Sequence, residues 1–194
     1  MASNFFAMIS RLKYIDRWAL MRNTHEENLS EHCMETACIA HALAVIGNRR
    51  FGKYYNAERA ALLGLYHDAP ETLTGDMPTP VKYYSPHIRE AYAQVEQSAC
   101  EHLVSMLPED LRADFAPFFF EDESDKELWK LVKAADKICA YIKCIEEKKA
   151  GNTEFDRAAE STLESINALD IPEAEEFMKE FLGGYRLTLD EIKE

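Results

Sequence analysis

The sequence predicts an all-α protein, a single helical bundle with short connections, and three observations predict it. Strand-like alternation is absent along the 194 residues. Apolar positions recur three and four apart in every long segment, the period of a helix with one buried face. The seven glycines and seven prolines sit mostly at segment boundaries, with Gly64 on the stripe of the third helix. A chain of this length fits one compact domain, residues 1–194. It can bury roughly 70% of its unfolded surface, so it needs no disulfide or metal merely to fold.

The elements follow in order. A first helix is expected from about Asn4 to Lys13, with Phe5, Phe6, Ile9 and Leu12 at helical spacing. A polar loop carries Arg17-Trp18 and Arg22-Asn23. Ser30 is the expected cap of a second helix ending near Gly47. Met34, Ala37, Ile39, Ala40, Leu43, Val45 and Ile46 make that helix apolar on nearly every side, hence central. Asn56 caps a third, from Ala57 to about Asp68. Gly75, Pro78 and Pro80 shape a loop from Pro70 to Pro80. Ser85-Pro86, a cap followed by proline at the first helical position, opens a fourth helix to about Met106. Ser124-Asp125-Lys126-Glu127 reads as a capping box opening a long helix to Ala150, with Gly151 as its stop. Leu128, Leu131, Val132, Ala135, Ile138, Cys139, Ile142 and Ile145 step along that helix by three and four. Helices over about Glu154–Ala168 and Glu173–Leu182, and a capped turn from Thr188 to Glu191, close the chain.

Charge and composition exclude several functions. The formal net charge of −13 repels phosphate backbones, so nucleic acid is not an expected partner. No run approaches the about 18 apolar residues of a membrane span. The stretch from Met1 to Leu12 lacks the apolar core and cleavage site of a signal peptide. Cys33, Cys38, Cys100, Cys139 and Cys144 are odd in number and form no C-x-x-C, so they read as reduced thiols of a cytoplasmic protein.

Three apolar helices carry polar groups where apolar ones would pack. The second begins with Glu31-His32, the third ends with His67-Asp68, and the long one holds Asp136 between Ala135 and Lys137. A buried, unpaired carboxylate is costly. Two histidines and two carboxylates converging from separate helices resolve that cost by binding one divalent cation. Nitrogen plus carboxylate oxygen suits Mn, Fe, Co, Ni or Zn and suits Ca poorly. Taken singly, each residue has an ordinary explanation: a helix-start or surface role for His32, pairing with Lys133 or Lys137 for Asp136. The ordered set is far more specific than its members.

The pattern His32…His67-Asp68…Asp136 resembles the signature of the HD-domain phosphohydrolases. Longer stretches resemble a narrower group, the bacterial YfbR-like 5′-deoxynucleotidases. These are Arg11-Leu12-Lys13, Arg17-Trp18, Met21-Arg22-Asn23, Asn28-Leu29-Ser30-Glu31-His32, Tyr66-His67-Asp68-Ala69, Leu73-Thr74-Gly75-Asp76-Met77-Pro78-Thr79-Pro80-Val81-Lys82 and Lys133-Ala134-Ala135-Asp136. The resemblance implies an HD-domain helical bundle, a cytoplasmic homodimer and one divalent metal such as Co or Mn. It implies hydrolysis of deoxyribonucleoside 5′-monophosphates to deoxynucleoside and phosphate. Carried over, His32, His67, Asp68 and Asp136 fall on metal ligands, and Glu71 and Asp76 on catalytic acids. Arg17, Trp18 and the loop Asp76, Met77, Pro78 and Thr79 fall on substrate contacts. Lys82 is a further candidate contact, and the ligands His32, Asp68 and Asp136 border the substrate. Pro70 departs from the pattern, where a small residue such as serine is expected. It lacks an N–H and disfavours a helical Ala69, so a tighter turn from His67 to Glu71 is expected.

The chemistry fits the residue types. A phosphate monoester is dianionic near neutral pH and repels a nucleophile; a divalent ion neutralises that charge and acidifies a coordinated water. Glu71, one turn beyond the His67-Asp68 pair, suits a general base or water orienter. Asp76, in a rigid Gly-Asp-Met-Pro turn, suits an acid for the leaving oxygen or a sugar contact. Arg17 offers a fork of donors to phosphate. The resemblance implies that Trp18 excludes a ribose 2′-OH; by itself it reads as a core or interface tryptophan. Other HD-type nucleotide phosphohydrolases are rivals, but Glu71 is followed by Thr72 instead of a second acid, and Gly184-Tyr185 by Arg186 instead of proline. A non-catalytic nucleotide-binding helical protein is the remaining alternative. Phe115, Phe118, Phe119 and Phe120 are a candidate dimer surface, or else core.

Overall fold

The computed structural model describes residues 2–82 and 84–193. Its centre is built by three helices: α2 (Leu29–Arg50), α3 (Ala57–Tyr66) and α8 (Lys126–Lys149). Ala40, Leu43, Ala44, Ala60, Leu63, Ala135, Ile138 and Ile142 from these helices are buried in one cluster. Small residues let the axes approach. A Cβ on Gly64 would sit 2.9 Å from the Ala37 Cα, so only glycine admits this crossing of α2 and α3. The consequence is functional, because His67 follows one turn later and is thereby pressed toward His32.

Around this centre lie α1 (Phe5–Ile9), α4 (Glu71–Thr74), α5 (Thr79–Lys82), α6 (Pro86–Ser105), α7 (Glu109–Phe115), α9 (Asp156–Asn167), α10 (Pro172–Phe181) and α11 (Leu189–Ile192). There is no β-strand among the described residues; an isolated bridge pairs Asp16 with Asn28 and closes the base of the loop between them. Among the described residues no helix is long and apolar enough to cross a membrane. Of the five free cysteines, Cys38 is exposed and the others are buried.

Several boundaries differ from the sequence reading, each for a local reason. Asn28, not Ser30, caps α2: its side chain accepts from the Ser30 and Glu31 N–H groups, and Glu31 reaches back to the Asn28 N–H. That reciprocal box satisfies donors which Ser30 alone would leave open. Gly47 does not stop α2. It is helical and gives room, since a Cβ there would lie 2.7 Å from the Tyr55 ring. The first helix yields after Ile9 to a 3-10 turn, Ser10–Tyr14. α3 ends at Tyr66, and α8 starts at Lys126 after a 3-10 turn capped by Asp122, so Ser124 is not its cap. The Pro70–Pro80 stretch holds the one-turn helix α4 and the start of α5, which runs on to Lys82. α7 was not expected. The phenylalanine run is packed within the chain: Phe115 meets Phe5 at 5.4 Å, and Phe118 stacks on Tyr66 at 5.3 Å. Phe115, Phe118 and Phe119 are half-buried against the apolar clusters, the core alternative of the two readings.

Candidate active site

α2 delivers His32, the turn after α3 delivers His67 and Asp68, and α8 delivers Asp136. His32 is 0% exposed. Its Nε2 lies 3.1 Å from Asp136 Oδ1 and 3.4 Å from Asp68 Oδ2, and His67 Nε2 lies 3.1 Å from the same Asp68 oxygen. His32, His67 and Asp68 each offer a ligand atom within 4.8 Å of the others, close enough to hold one metal ion; Asp136 adjoins this set through His32. His67 is oriented by its Nδ1, 2.7 Å from the Gly64 carbonyl. Backbone orientation of one ring nitrogen leaves the other free to ligate. Both Nε2 atoms are buried and make no hydrogen bond. Buried nitrogens are ordinarily satisfied, so two orphans facing two carboxylates fit a cation held by nitrogen and oxygen.

The electrostatics of the cluster are steep. Burial works against ionised Asp68, but His67 and His32 outweigh it and hold the carboxyl well below the usual range. Burial likewise opposes ionised Asp136, yet the His32 contact brings it down to about 2. Burial opposes a charged His67, and Asp68 more than compensates, raising the imidazole well above its ordinary value.

Glu71 and Asp76 stand beside this cluster. Pro70 adopts helical angles, and the turn closes through Ala69 N–H to Tyr66 O at 3.0 Å and Glu71 N–H to Asp68 O at 2.9 Å. These bonds span three residues, the tight turn expected from proline. It keeps Glu71 in the site: burial, Asp68 and Asp76 together push its carboxyl up to about 9, and its Oε2 is buried without a partner. Burial also raises Asp76, against the pull of Arg17. Gly75 between them has φ +72°, the left-handed region that favours glycine.

The loop closed by the Asp16–Asn28 bridge brings Arg17 and Trp18 to the same place. Arg17 Nη1 lies 2.9 Å from Glu27 Oε1 and 2.8 Å from His32 Nδ1, and Nη2 is 3.8 Å from Asp136. Arginine only donates, so His32 Nδ1 accepts here. Trp18 donates Nε1–H to Glu27 Oε2 at 3.1 Å, and its ring lies 5.3 Å from Phe155. Its φ is +60°, rare for a bulky residue and worth about 1–3 kcal/mol of strain. Such strain persists where surrounding contacts over-determine it. Met77 and Pro78 are half-buried and Thr79 is exposed; these three make no hydrogen bond or ion pair to the cluster among the described residues. Lys82 is drawn to Glu96 at 2.8 Å, though its charge is felt by Glu71.

Sequence reasoning missed two groups that hold this loop. One is Glu27, anonymous in a polar stretch. The other is the Lys143–Glu147 pair on α8, 5% and 1% exposed and 2.6 Å apart. Glu147 also accepts from the Thr24 N–H and hydroxyl and from Asn152, while Lys143 donates to the His25 carbonyl and Asn152 to the Arg22 carbonyl. The signal was an i,i+4 acid–base pair inside an otherwise apolar stripe. Burial disfavours ionised Glu147, yet Lys143, Thr24 and Asn152 hold it well below the usual carboxylate range. Lys143→Met is expected to lower stability by about 3 kcal/mol or more, since it strands a buried charge. A depressed carboxyl stabilises fully above its unfolded value and loses that contribution as pH falls through its folded one. Wild-type unfolding free energy should therefore drop on acidification more steeply than that of Glu147→Gln. Urea titrations at several pH values check both; equal slopes, or a loss below about 1 kcal/mol, would contradict them.

A helical bundle thus gathers imidazoles and carboxylates from three central helices into a cluster close enough to hold one metal ion, with Glu71 beside it. The fold matches that of an HD-domain phosphohydrolase from Listeria innocua, TM-score 0.81 at 23% identity over 98% of this chain and 91% of that one. It also matches a cyanophage S-2L HD phosphohydrolase bound to dA and one catalytic Zn²⁺, TM-score 0.63 at 22% identity over 94% and 96% of the two chains. The chain belongs to the 5′-deoxynucleotidase YfbR-like family, whose model matches residues 4–185. It is 50% identical over 192 residues to the 5′-deoxynucleotidase YfbR of Escherichia coli, covering 99% of this chain and 96% of that protein. It is 48% identical over 190 residues to a 5′-deoxynucleotidase of Vibrio atlanticus, covering 98% of each.

Proposed function

We propose that this chain is a metal-dependent 5′-deoxynucleotidase that hydrolyses deoxyribonucleoside 5′-monophosphates, with His32, His67, Asp68 and Asp136 holding the cation. One observation carries the site: two buried imidazole nitrogens with no hydrogen bond converge on Asp68, next to a glutamate whose Oε2 is buried without a partner. The full-length relatives named 5′-deoxynucleotidase support the reaction.

A divalent cation at the cluster supplies charge neutralisation of the phosphate dianion and acidifies a water. Were His32 to offer Nε2 to the cation, its ring proton would rest on Nδ1 with Glu27 Oε1, 3.6 Å away, as acceptor, and a donor of Arg17 would be free for the phosphate. Glu71 takes the water's proton on its carboxylate, and Asp76 protonates the departing 5′ oxygen or holds the sugar. Met77, Pro78, Thr79 and Lys82 border the substrate. Cobalt or manganese as the cation, a homodimer and a cytoplasmic location complete the proposal; the free thiols agree with a reducing compartment. The test is phosphate release from ribo- and deoxyribonucleotides, mono- to triphosphate, with Co, Mn, Mg or no metal. Metal-dependent release confined to deoxynucleoside monophosphates is expected; release from other classes, or none, would reject the assignment.

Trp18 is the proposed sugar selector. A 2′-OH pressed against the indole loses hydration without gaining a partner, a cost of about 1–3 kcal/mol. That corresponds to roughly 5- to 150-fold discrimination. Trp18→Ala should lower the deoxy/ribo ratio of kcat/KM by that factor. An unchanged ratio would return Trp18 to packing against Phe155.

A further inference from the structure

We propose that Glu27 is a positioning residue that sets sugar selectivity and phosphate binding together, by holding Trp18 and Arg17 on the two oxygens of one carboxylate. The inference rests on the assignment of Arg17 and Trp18 to the substrate. Glu27 is 9% exposed, and each oxygen is used: Oε1 accepts from Arg17 Nη1 at 2.9 Å and Oε2 from Trp18 Nε1 at 3.1 Å. Its carbonyl accepts the Arg17 N–H at 2.9 Å, so backbone and side chain fix the same dipeptide. Trp18 needs fixing, because its left-handed backbone is unfavourable for an indole residue. Asn23 Nδ2 donates to the Trp18 carbonyl and Phe155 flanks the ring, but neither reaches the indole N–H. Glu27 is the group that sets the ring's rotation.

A carboxylate suits this task and an amide does not. Both partners only donate, so both oxygens must accept. Glutamine has one acceptor and turns an N–H₂ against the other donor. Glu27→Gln therefore preserves volume while breaking one of the two contacts, and Glu27→Ala breaks both.

The decisive experiment uses two readouts. The chain has two tryptophans, so a Trp129→Phe background leaves Trp18 as the sole emitter. In that background Glu27→Gln and Glu27→Ala should increase quenching of Trp18 by acrylamide. The second readout is steady-state kinetics on a deoxy/ribo pair in the full holoenzyme, alone and combined with Trp18→Ala. Glu27→Ala should move the deoxy/ribo ratio about tenfold toward unity, the scale of a hydrogen bond to a charged group. It should raise KM on both sugars through Arg17. In the Trp18→Ala background the ratio should no longer respond to Glu27, while the KM effect should persist. Unaltered quenching, or the same ratio change with and without Trp18, would overturn the proposal. If quenching rises but wild type shows no deoxy preference, the sugar assignment of Trp18 fails, and selectivity is removed from Glu27 with it. Where Glu27→Ala does not fold, the isosteric Glu27→Gln supplies both readouts.

Discussion

Glu71→Gln is expected to lower kcat by roughly 10²–10⁴-fold while metal content stays at the wild-type level. The size is that of a proton-transfer step, and the residue is prepared for one. Its carboxyl is buried, Oε2 has no partner, and Asp68 and Asp76 add negative charge, so the proton is held up to about 9. A cation on the cluster cancels part of that repulsion and favours the ionised form, the form that accepts a proton. A base must be ionised to work, so kcat/KM should rise with pH through the Glu71 ionisation and level off above it. Glutamine cannot ionise, and its residual rate should lose that rising limb. Rate–pH profiles of both proteins, with metal analysis on the same samples, measure this. Near-normal turnover, or an intact limb in the variant, would move the base role elsewhere, with Asp76 next in line.

The parts of the site that were legible in the sequence are those carried by helical periodicity. Apolar steps of three and four locate α2, α3 and α8, and a polar residue interrupting each stripe stands out against them. His32, the His67-Asp68 pair and Asp136 are found that way because burial makes a polar side chain exceptional. Glu27 gives no such contrast: it sits in a polar loop, and its burial arises when the Asp16–Asn28 bridge folds that loop onto α8. Lys143 and Glu147 look like a solvated i,i+4 pair until the loop covers them. Boundary errors have the same origin. Ser30 and Asn28 are both able to cap, and the reciprocal reach of Glu31 decides for Asn28. Gly47 looks like a stop, and the Tyr55 ring pressed against it shows a glycine kept for room. The run from Phe115 to Phe120 reads equally as a dimer surface or as core because Phe5 and Tyr66, the partners of Phe115 and Phe118, are far away in sequence.

His67→Ala and Asp136→Ala are expected to abolish turnover to background and to remove or severely weaken metal binding, with helical content preserved. The fold should survive because the central helices are held by apolar packing that neither residue supplies. Charge balance favours survival as well: Asp68 and Asp136 repel one another in the metal-free chain, so deleting Asp136 relieves a repulsion while costing the His32 contact. The two variants should differ in degree. His67 belongs to the tight set with His32 and Asp68, whereas Asp136 adjoins it through His32. His67→Ala should therefore lose the metal outright, and Asp136→Ala should retain a weaker site. Thermal melts read this without any assay of activity. A ligand at about 100 times its Kd stabilises the folded state by about 2.7 kcal/mol, so added Co or Mn should raise the wild-type midpoint by several degrees. The increment should vanish in His67→Ala and shrink in Asp136→Ala, while the metal-free midpoints of all three stay close. Full metal occupancy and an undiminished increment in both variants would take these residues out of the centre, and the orphaned imidazole nitrogens would then need another partner.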